Sequence, residues 1–425
     1  MQGSSRGGNQ PGGSGGSEVQ GLLLMAGVAM MWGTSPPCTR ALYALEGPPS
    51  PAALGTLQAT MAFLWLSLLN RFAGHLAWAQ GPANAHSRPS SEESAPAHSR
   101  PASVHDSSPS SYVDHDAESN AEANPDPAGN ASTESRRLLG HLESEHPEVP
   151  VQGAGPYLER LRIAAADILN RPASSQLAAG AELGAISAAA NAATLLGFED
   201  TLAARGAFLL RMSVMFTPIL AAVARQATPK LVWLGAGTAF AGGLLIAGDD
   251  LSSQGQQSSS LLTLSGGDAM LIVAALLWAL QIVRQGRLAQ HYPPIALAAN
   301  QLGFMALGLG FWLLLTAAGE VSSGHPWTAV WPGWSNPVAW LIALCPAIFP
   351  WGLGGVLQLR AQTMVSPSLT NIVLATDPLW ATLFSAILGT GEQRLGFQGW
   401  LGGGAIILAC IIASQGQSGS ETQKA

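Results

Sequence analysis

Two ionisable residues stand where the surrounding sequence is almost wholly apolar. Arg211 interrupts the run LLRMSVMFTPILAAVA, and Asp377 interrupts SLTNIVLATDPLWATLFSAIL directly before Pro378. Charges in such surroundings are costly and usually functional. An arginine there offers a fork of donors to an anionic group. An aspartate there binds a proton, a cation or an amine. The two can equally pair with each other and lock their helices together. Seven uncharged polar residues fall within comparable apolar runs: Gln58, Asn191, Gln281, Asn300, Gln301, Gln358 and Asn371. Each can simply hydrogen-bond a neighbouring helix. So many on different helices exceed what packing requires, and the expectation is that some line a cavity. Trp32, Trp278 and Trp380 are candidates for its aromatic walls, with core or lipid-facing roles equally open. Glu392 sits beside Arg394 in a short polar turn, where contact with adjacent helix ends is the simpler role.

The elements that must position these residues are membrane helices. Of 425 residues, 48% are hydrophobic and only 11% charged, against roughly 25% charged in soluble domains. A bilayer crossing needs about 20 apolar residues. Runs of that kind fall near 22–42, 51–72, 177–196, 202–224, 231–248, 269–283, 295–317, 338–357, 368–388 and 395–413, so the fold class expected is all-α integral membrane with ten transmembrane helices. The first run is read as a retained helix rather than a cleaved signal, because it continues through Trp32 to Pro36-Pro37 with no small-residue cleavage site. At about 1.5 Å per residue, Arg211 lies roughly 13 Å inside its helix and Asp377 roughly 14 Å inside its own. Both depths are near the midplane.

The polar stretches have a different character. Residues 1–20 are Gly/Ser/Gln-rich and read as disordered. An insert at 73–172 is rich in Ser, Pro, Ala, Asn, Glu and Asp, and AHSRPSS at 85–91 returns as AHSRPAS at 97–103. It reads as largely disordered. His86, His98, His105 and His115 are too widely spaced, and lack a Cys partner, to read as a metal site. Asn130-Ala-Ser132 matches a glycosylation acceptor, on the wrong face by the topology below. At 157–170, Leu158, Leu161, Ala165, Ile168 and Leu169 share one helical face, which suggests a short helix on the membrane surface. The three cysteines, Cys38, Cys345 and Cys410, lie in or beside apolar runs and give no disulfide framework.

Loop charge sets the orientation. Arg225, Lys230, Arg284, Arg287 and Arg360 fall in alternate loops that hold no acid. Glu46, Glu199, Asp200, Asp249, Asp250, Asp268, Glu320 and Glu392 fall in the others. The basic loops mark the cytoplasmic or equivalent side, which places both termini and the insert there. The chain also repeats itself. Ala29-Met-Met-Trp32 is matched by Ala275-Leu-Leu-Trp278, Thr217-Pro218 by Asp377-Pro378, and Trp233-Leu-Gly-Ala-Gly237 by Trp400-Leu-Gly-Gly-Gly404. Three matches in one order argue for two five-helix repeats. An odd number of helices makes those repeats inverted, a plan of secondary transporters with sites near the midplane.

On these residues the chain resembles the EamA-type branch of the drug/metabolite transporter superfamily. The resemblance is carried by Met31-Trp32-Gly33-Thr34, the stretch 204–218, Gly267-Asp268 through Trp278-Ala279, Asp377-Pro378-Leu-Trp380, Gly391-Glu392 and Trp400-Leu-Gly-Gly403. The 204–218 pattern leans towards plant and cyanobacterial members, by which a plastid envelope is one location implied. The resemblance implies a first repeat over 21–72 and 173–250, a second over 265–414, a tail at 415–425, and export or exchange of small organic metabolites. Gln58 departs from it, standing where many members carry a basic residue, and so does the long insert.

The expected function is therefore a secondary carrier of a small polar metabolite that works by alternating access. Its partners are a small-molecule substrate and the lipid bilayer. No cofactor, metal or nucleic acid is expected. Absence of GxxxxGK[ST] argues against direct ATP drive. A phosphorylated-metabolite or nucleotide-sugar antiporter is the alternative within transport, and it would want more midplane Lys/Arg than Arg211 alone. A membrane-embedded enzyme finds no HExxH motif and no nucleophile with a His partner in the spans. A non-transporting scaffold or receptor using the insert is the alternative of another class. Gly235, Gly237, Gly242, Gly243, Gly402, Gly403 and Gly404 allow close helix approach in the fifth and tenth spans, either within the chain or in a homodimer.

Overall fold

An apolar run can satisfy its own backbone without water only as a helix or in a closed barrel, and the regular structure here is helical. The computed structural model describes residues 14–79, 155–201, 203–253, 265–387 and 396–422. No strand occurs among the described residues. The expectations for the insert's histidines, for Asn130 and for the Glu392–Arg394 turn lie outside them. The chain divides into two units, 1–79 with 159–425, and 80–158; the contacts below lie within the first.

The helices are α1 Ser14–Gly33, α2 Ser35–Tyr43, α3 Pro51–Ala79, α4 Gly155–Asn170, α5 Gln176–Glu199, α6 Ala203–Arg211, α7 Ser213–Val223, α8 Lys230–Ser253, α9 Gly266–Leu288, α10 Pro294–Ser322, α11 Pro337–Pro346, α12 Gly355–Ala361, α13 Pro367–Leu374, α14 Asp377–Ile387 and α15 Phe397–Thr422. Their starts follow from local chemistry. Ser175 accepts from the Ala178 amide, Ser366 from the Leu369 amide, and Ser265 with Asp268 forms a reciprocal capping box. Proline occupies the first turn of α10, α11 and α13, where its missing N–H costs nothing.

Among the described residues, eight helical stretches are long and apolar enough to cross a membrane. Two of the ten expected runs are not among them, and in both the helix is broken near a proline. The first parts at Thr34, whose hydroxyl turns back to the Met31 carbonyl at 2.7 Å, just ahead of Pro36-Pro37. The ninth parts at Ala375-Thr376, just ahead of Pro378, which cannot donate to the carbonyl four residues earlier. Between α11 and α12, Ala347–Gly354 winds as a π-helix around Pro350, which likewise cannot make the ordinary bond. The expected surface segment is helical as α4, and the sixth run extends beyond 283 to Leu288.

Bonds between loops define two ends. At one, Gly333 N donates to Gly47 O at 2.9 Å, Arg205 pairs with Asp268 at 2.6 Å, and Gly396 N donates to Asp249 at 2.5 Å. At the other, Asn170 donates to Ala224 O at 2.9 Å, Gln290 to Gln362 O at 3.2 Å, and Ser366 N to Gln417 at 3.0 Å. Each bond joins loops that charge sorting puts on the same side. These are called the acidic and basic ends below.

The two larger apolar clusters form most of the interior. One gathers residues of α3, α5 and α10 with Trp351; the other gathers α1, α7, α8, α13 and α15; Trp32 packs against both. On the outside, Leu307, Phe311, Leu314 and Leu315 of α10 stand 56–69% exposed. A soluble protein rarely tolerates such a stripe, whereas lipid solvates it.

Five of the seven glycines named in α8 and α15, Gly235, Gly242, Gly243, Gly402 and Gly403, pack closely inside the chain. A Cβ on Gly242 would lie 2.6 Å from the Gly402 carbonyl, and one on Gly235 would lie 2.8 Å from the Ala413 Cβ. Gly237 and Gly404 meet nothing within 4 Å. Gly242→Val should therefore cost about 1–3 kcal/mol by overpacking and lower the melting temperature in detergent. Gly404→Ala, read in the same assay, should leave it unchanged.

Candidate functional site

Between the two clusters lies a cavity of about 400 Å³. Its charged members stand at helix breaks. Arg211 is the last residue of α6, and Asp377 is the first of α14. A helix carries partial negative charge at its C-terminus and partial positive charge at its N-terminus, so each side chain sits at the helix end that suits it. The two meet directly, Arg211 Nη2 donating to Asp377 Oδ1. Their side chains are 23% and 35% exposed, because both open into the cavity rather than into the packed interior.

A second contact joins the same two broken helices. Asn371 Nδ2 donates to Thr217 Oγ1 at 2.7 Å and to Ser213 O at 2.8 Å. Arg211 stands six residues before Thr217, and Asn371 stands six before Asp377. When Thr217-Pro218 is aligned with Asp377-Pro378, Arg211–Asp377 and Asn371–Thr217 become the same contact read from opposite ends.

Aromatic rings and amides complete the lining. Trp351 meets Trp32 edge-on with ring centres 4.8 Å apart, and Trp278 lies 6.3 Å from Trp351. Trp278 donates to Thr194 at 3.2 Å, whereas the buried Trp32 Nε1 has no protein acceptor. Gln301 donates to Ser187 at 3.1 Å. Gln281 also lines the wall. Towards the acidic end the lining includes Pro36, Ala207 and Phe198, the last 37% exposed. Towards the basic end Gln358 donates to Gln285 at 2.9 Å, with the two side chains buried, and Gln362 donates to Ile282 O at 3.2 Å. The cavity is therefore floored at the basic end by bonded side chains.

Eight of the twelve cavity candidates named in the sequence line this space: Trp32, Arg211, Trp278, Gln281, Gln301, Gln358, Asn371 and Asp377. Gln58, Asn191 and Asn300 do not. Asn191 faces Gly55 of α3 and Asn300 packs against Gly180 of α5, so both sit between helices away from the cavity. Trp380 packs its Cβ on Gly33 rather than forming a wall. Gln285 and Trp351 escaped the sequence reading. Gln285 lies beyond the point where the sixth run was ended, among Arg284 and Arg287 that read as loop. Trp351 lies in PAIFPWGLGG, where Pro and Gly hide the helical period.

Residues 265–415 match the family EamA, the EamA-like transporter family. That stretch runs from the start of α9 into α15 and contains Trp278, Gln281, Gln301, Gln358, Asn371 and Asp377. The chain is thus a multi-pass membrane protein with an EamA-like transporter region, and members of that family are transporters rather than enzymes. No curated protein matches the sequence. A solved structure described only as "Crystal structure of protein" is similar at a TM-score of 0.51 and 12% identity, over 93% of this chain and 96% of the other. At that identity the likeness speaks for the fold alone.

Arg211→Ala and Asp377→Ala should each destabilise the protein, because each leaves a charge unpaired at membrane depth. The double variant should be less destabilised than the sum, with a coupling of about 1–3 kcal/mol. Thermal unfolding of the four proteins in one detergent checks this; additive effects would show that the pair contributes nothing.

Proposed function

We propose that this protein is a secondary transporter of small polar organic metabolites, working by alternating access between two inverted five-helix repeats. The observation that carries the reading is a cavity floored at the basic end, with its paired charges at helix breaks. Broken helices whose ends face a midplane cavity are how many carriers present binding groups. The two matched contacts between the fourth and ninth membrane segments support the inverted repeat. A ten-helix reading takes the broken first and ninth runs as interrupted spans. With the basic end cytoplasmic or its equivalent, both termini and the insert lie on that side and the floor of the cavity faces it.

Arg211 and Asp377 give the cavity one positive and one negative group that neutralise each other. A solute enters by hydrogen bonding to the amides and the free Trp32 Nε1, by packing on the indoles, or by replacing one partner of the pair. A phosphorylated metabolite is disfavoured. It carries charge that the paired Arg211 must balance, and Arg211 is the one basic residue among the described residues of the lining.

Counterflow in proteoliposomes tests the reading. At least one member of a broad metabolite panel should exchange, and Arg211→Ala/Asp377→Ala should slow that exchange about tenfold, the equivalent of about 1.4 kcal/mol. Failure of monodisperse protein to exchange any member would favour the scaffold reading. Normal exchange by the double variant would remove both residues from the mechanism.

A further inference from the structure

Arg284 is 3% exposed and is used by neither the cavity wall nor the paired charges. Its Nε and Nη2 donate to the Glu182 carboxylate at 2.5 and 2.8 Å. Its Nη1 donates to Leu169 O at 2.6 Å and its Nη2 to Arg171 O at 3.0 Å. Glu182 supplies the counter-charge that so buried a guanidinium needs. The carbonyls explain its position. The last carbonyls of a helix have no amide partner within it, and Leu169 belongs to the final turn of α4, where a cation also suits the helix dipole.

The same short segment is tied elsewhere at the basic end. Asn170 donates to Ala224 O, just beyond α7, at 2.9 Å. Leu169 is buried with Ala221, Ala224 and Val283. Tyr292, in the turn before α10, donates to Ala173 O at 3.1 Å. The segment thus bonds the basic ends of α7 and α9 and the turn before α10 at once, and Arg284, which also ties α9 to Glu182 of α5, directly precedes Gln285, which floors the cavity with Gln358.

We infer that residues 166–173 form a latch across the basic end, holding α7 and α9 together beneath the cavity floor, and that the latch releases for the cavity to open on that side. The inference rests on the transport reading, in which the helix ends below the floor must part. A strap bonded to α7 through Asn170 and to α9 through Arg284 does not keep both bonds when they do. Residues outside the binding cavity would then set how readily the carrier opens to the basic side, and the chain that enters α4 from the insert would end on that control point.

The test needs no solute, so its outcome is separable from that of counterflow. Gln281→Cys is placed in a background of Cys38→Ala, Cys345→Ala and Cys410→Ala, and a membrane-impermeant maleimide is added to either side of sealed vesicles. Arg284→Ala risks misfolding, so Glu182→Gln and Asn170→Ala carry the test, with monodispersity on size exclusion as the folding control. Both variants should speed labelling from the basic side by about tenfold, with faster hydrogen exchange in 166–173. Basic-side labelling at the parent rate in both monodisperse variants would overturn the latch.

Discussion

A positive and a negative side chain at membrane depth are each costly alone, and the structure brings them together. Arg211 and Asp377 come from opposite ends of interrupted helices, so α6 and α14 present charge to the cavity at termini whose dipoles favour it. The pairing is what makes the breaks tolerable. Without Asp377, Arg211 would leave a cation facing apolar walls and three indoles. Without Arg211, Asp377 would do the same with an anion. The three tryptophans and the amide side chains then give the remaining wall a mixed character that suits a small polar solute better than either water or lipid.

The contact between these helices is asymmetric in chemistry though matched in position. Nearer the acidic end it is ionic, Arg211 with Asp377. Nearer the basic end it is neutral, Asn371 with Thr217 at 2.7 Å. The lining follows the same gradient. Apolar Phe198 lies towards the acidic end, whereas buried Gln285 and Gln358 close the floor. Ordinary hydrogen bonds of about 1 kcal/mol net each close that floor, which suits a closure that has to open again. The Arg284 cluster beneath it is stronger, since its bonds are charge-assisted.

Depth was legible in the sequence and azimuth was not. Counting 1.5 Å per residue put Arg211 and Asp377 at one level, and they meet there. The same count put Gln58, Asn191 and Asn300 at useful depths, but depth does not say which face of a helix looks inward. Asn300 and Gln301 show the difference: adjacent residues lie about 100° apart around a helix, and Gln301 lines the cavity while Asn300 packs on Gly180. All-round apolar spans give a periodicity argument little to work with, since lipid and core are alike in hydropathy. Loop charge, by contrast, sorted the ends in agreement with the loop-to-loop bonds. Charge sorting sees the sign of Arg284 and not its burial, so in the sequence it reads as a basic loop residue.

The claim that the Arg211–Asp377 contact organises the cavity is tested most directly by exchanging its partners. Arg211→Asp and Asp377→Arg each place like charges opposite one another; combined, they restore an ion pair in reversed order. Thermal stability of the three variants in detergent, against the parent, is the measurement. The account predicts that each single variant unfolds well below the parent and that the combined variant recovers most of the loss, short of full recovery because both charges then oppose their helix dipoles. A combined variant no more stable than the worse single variant would contradict it.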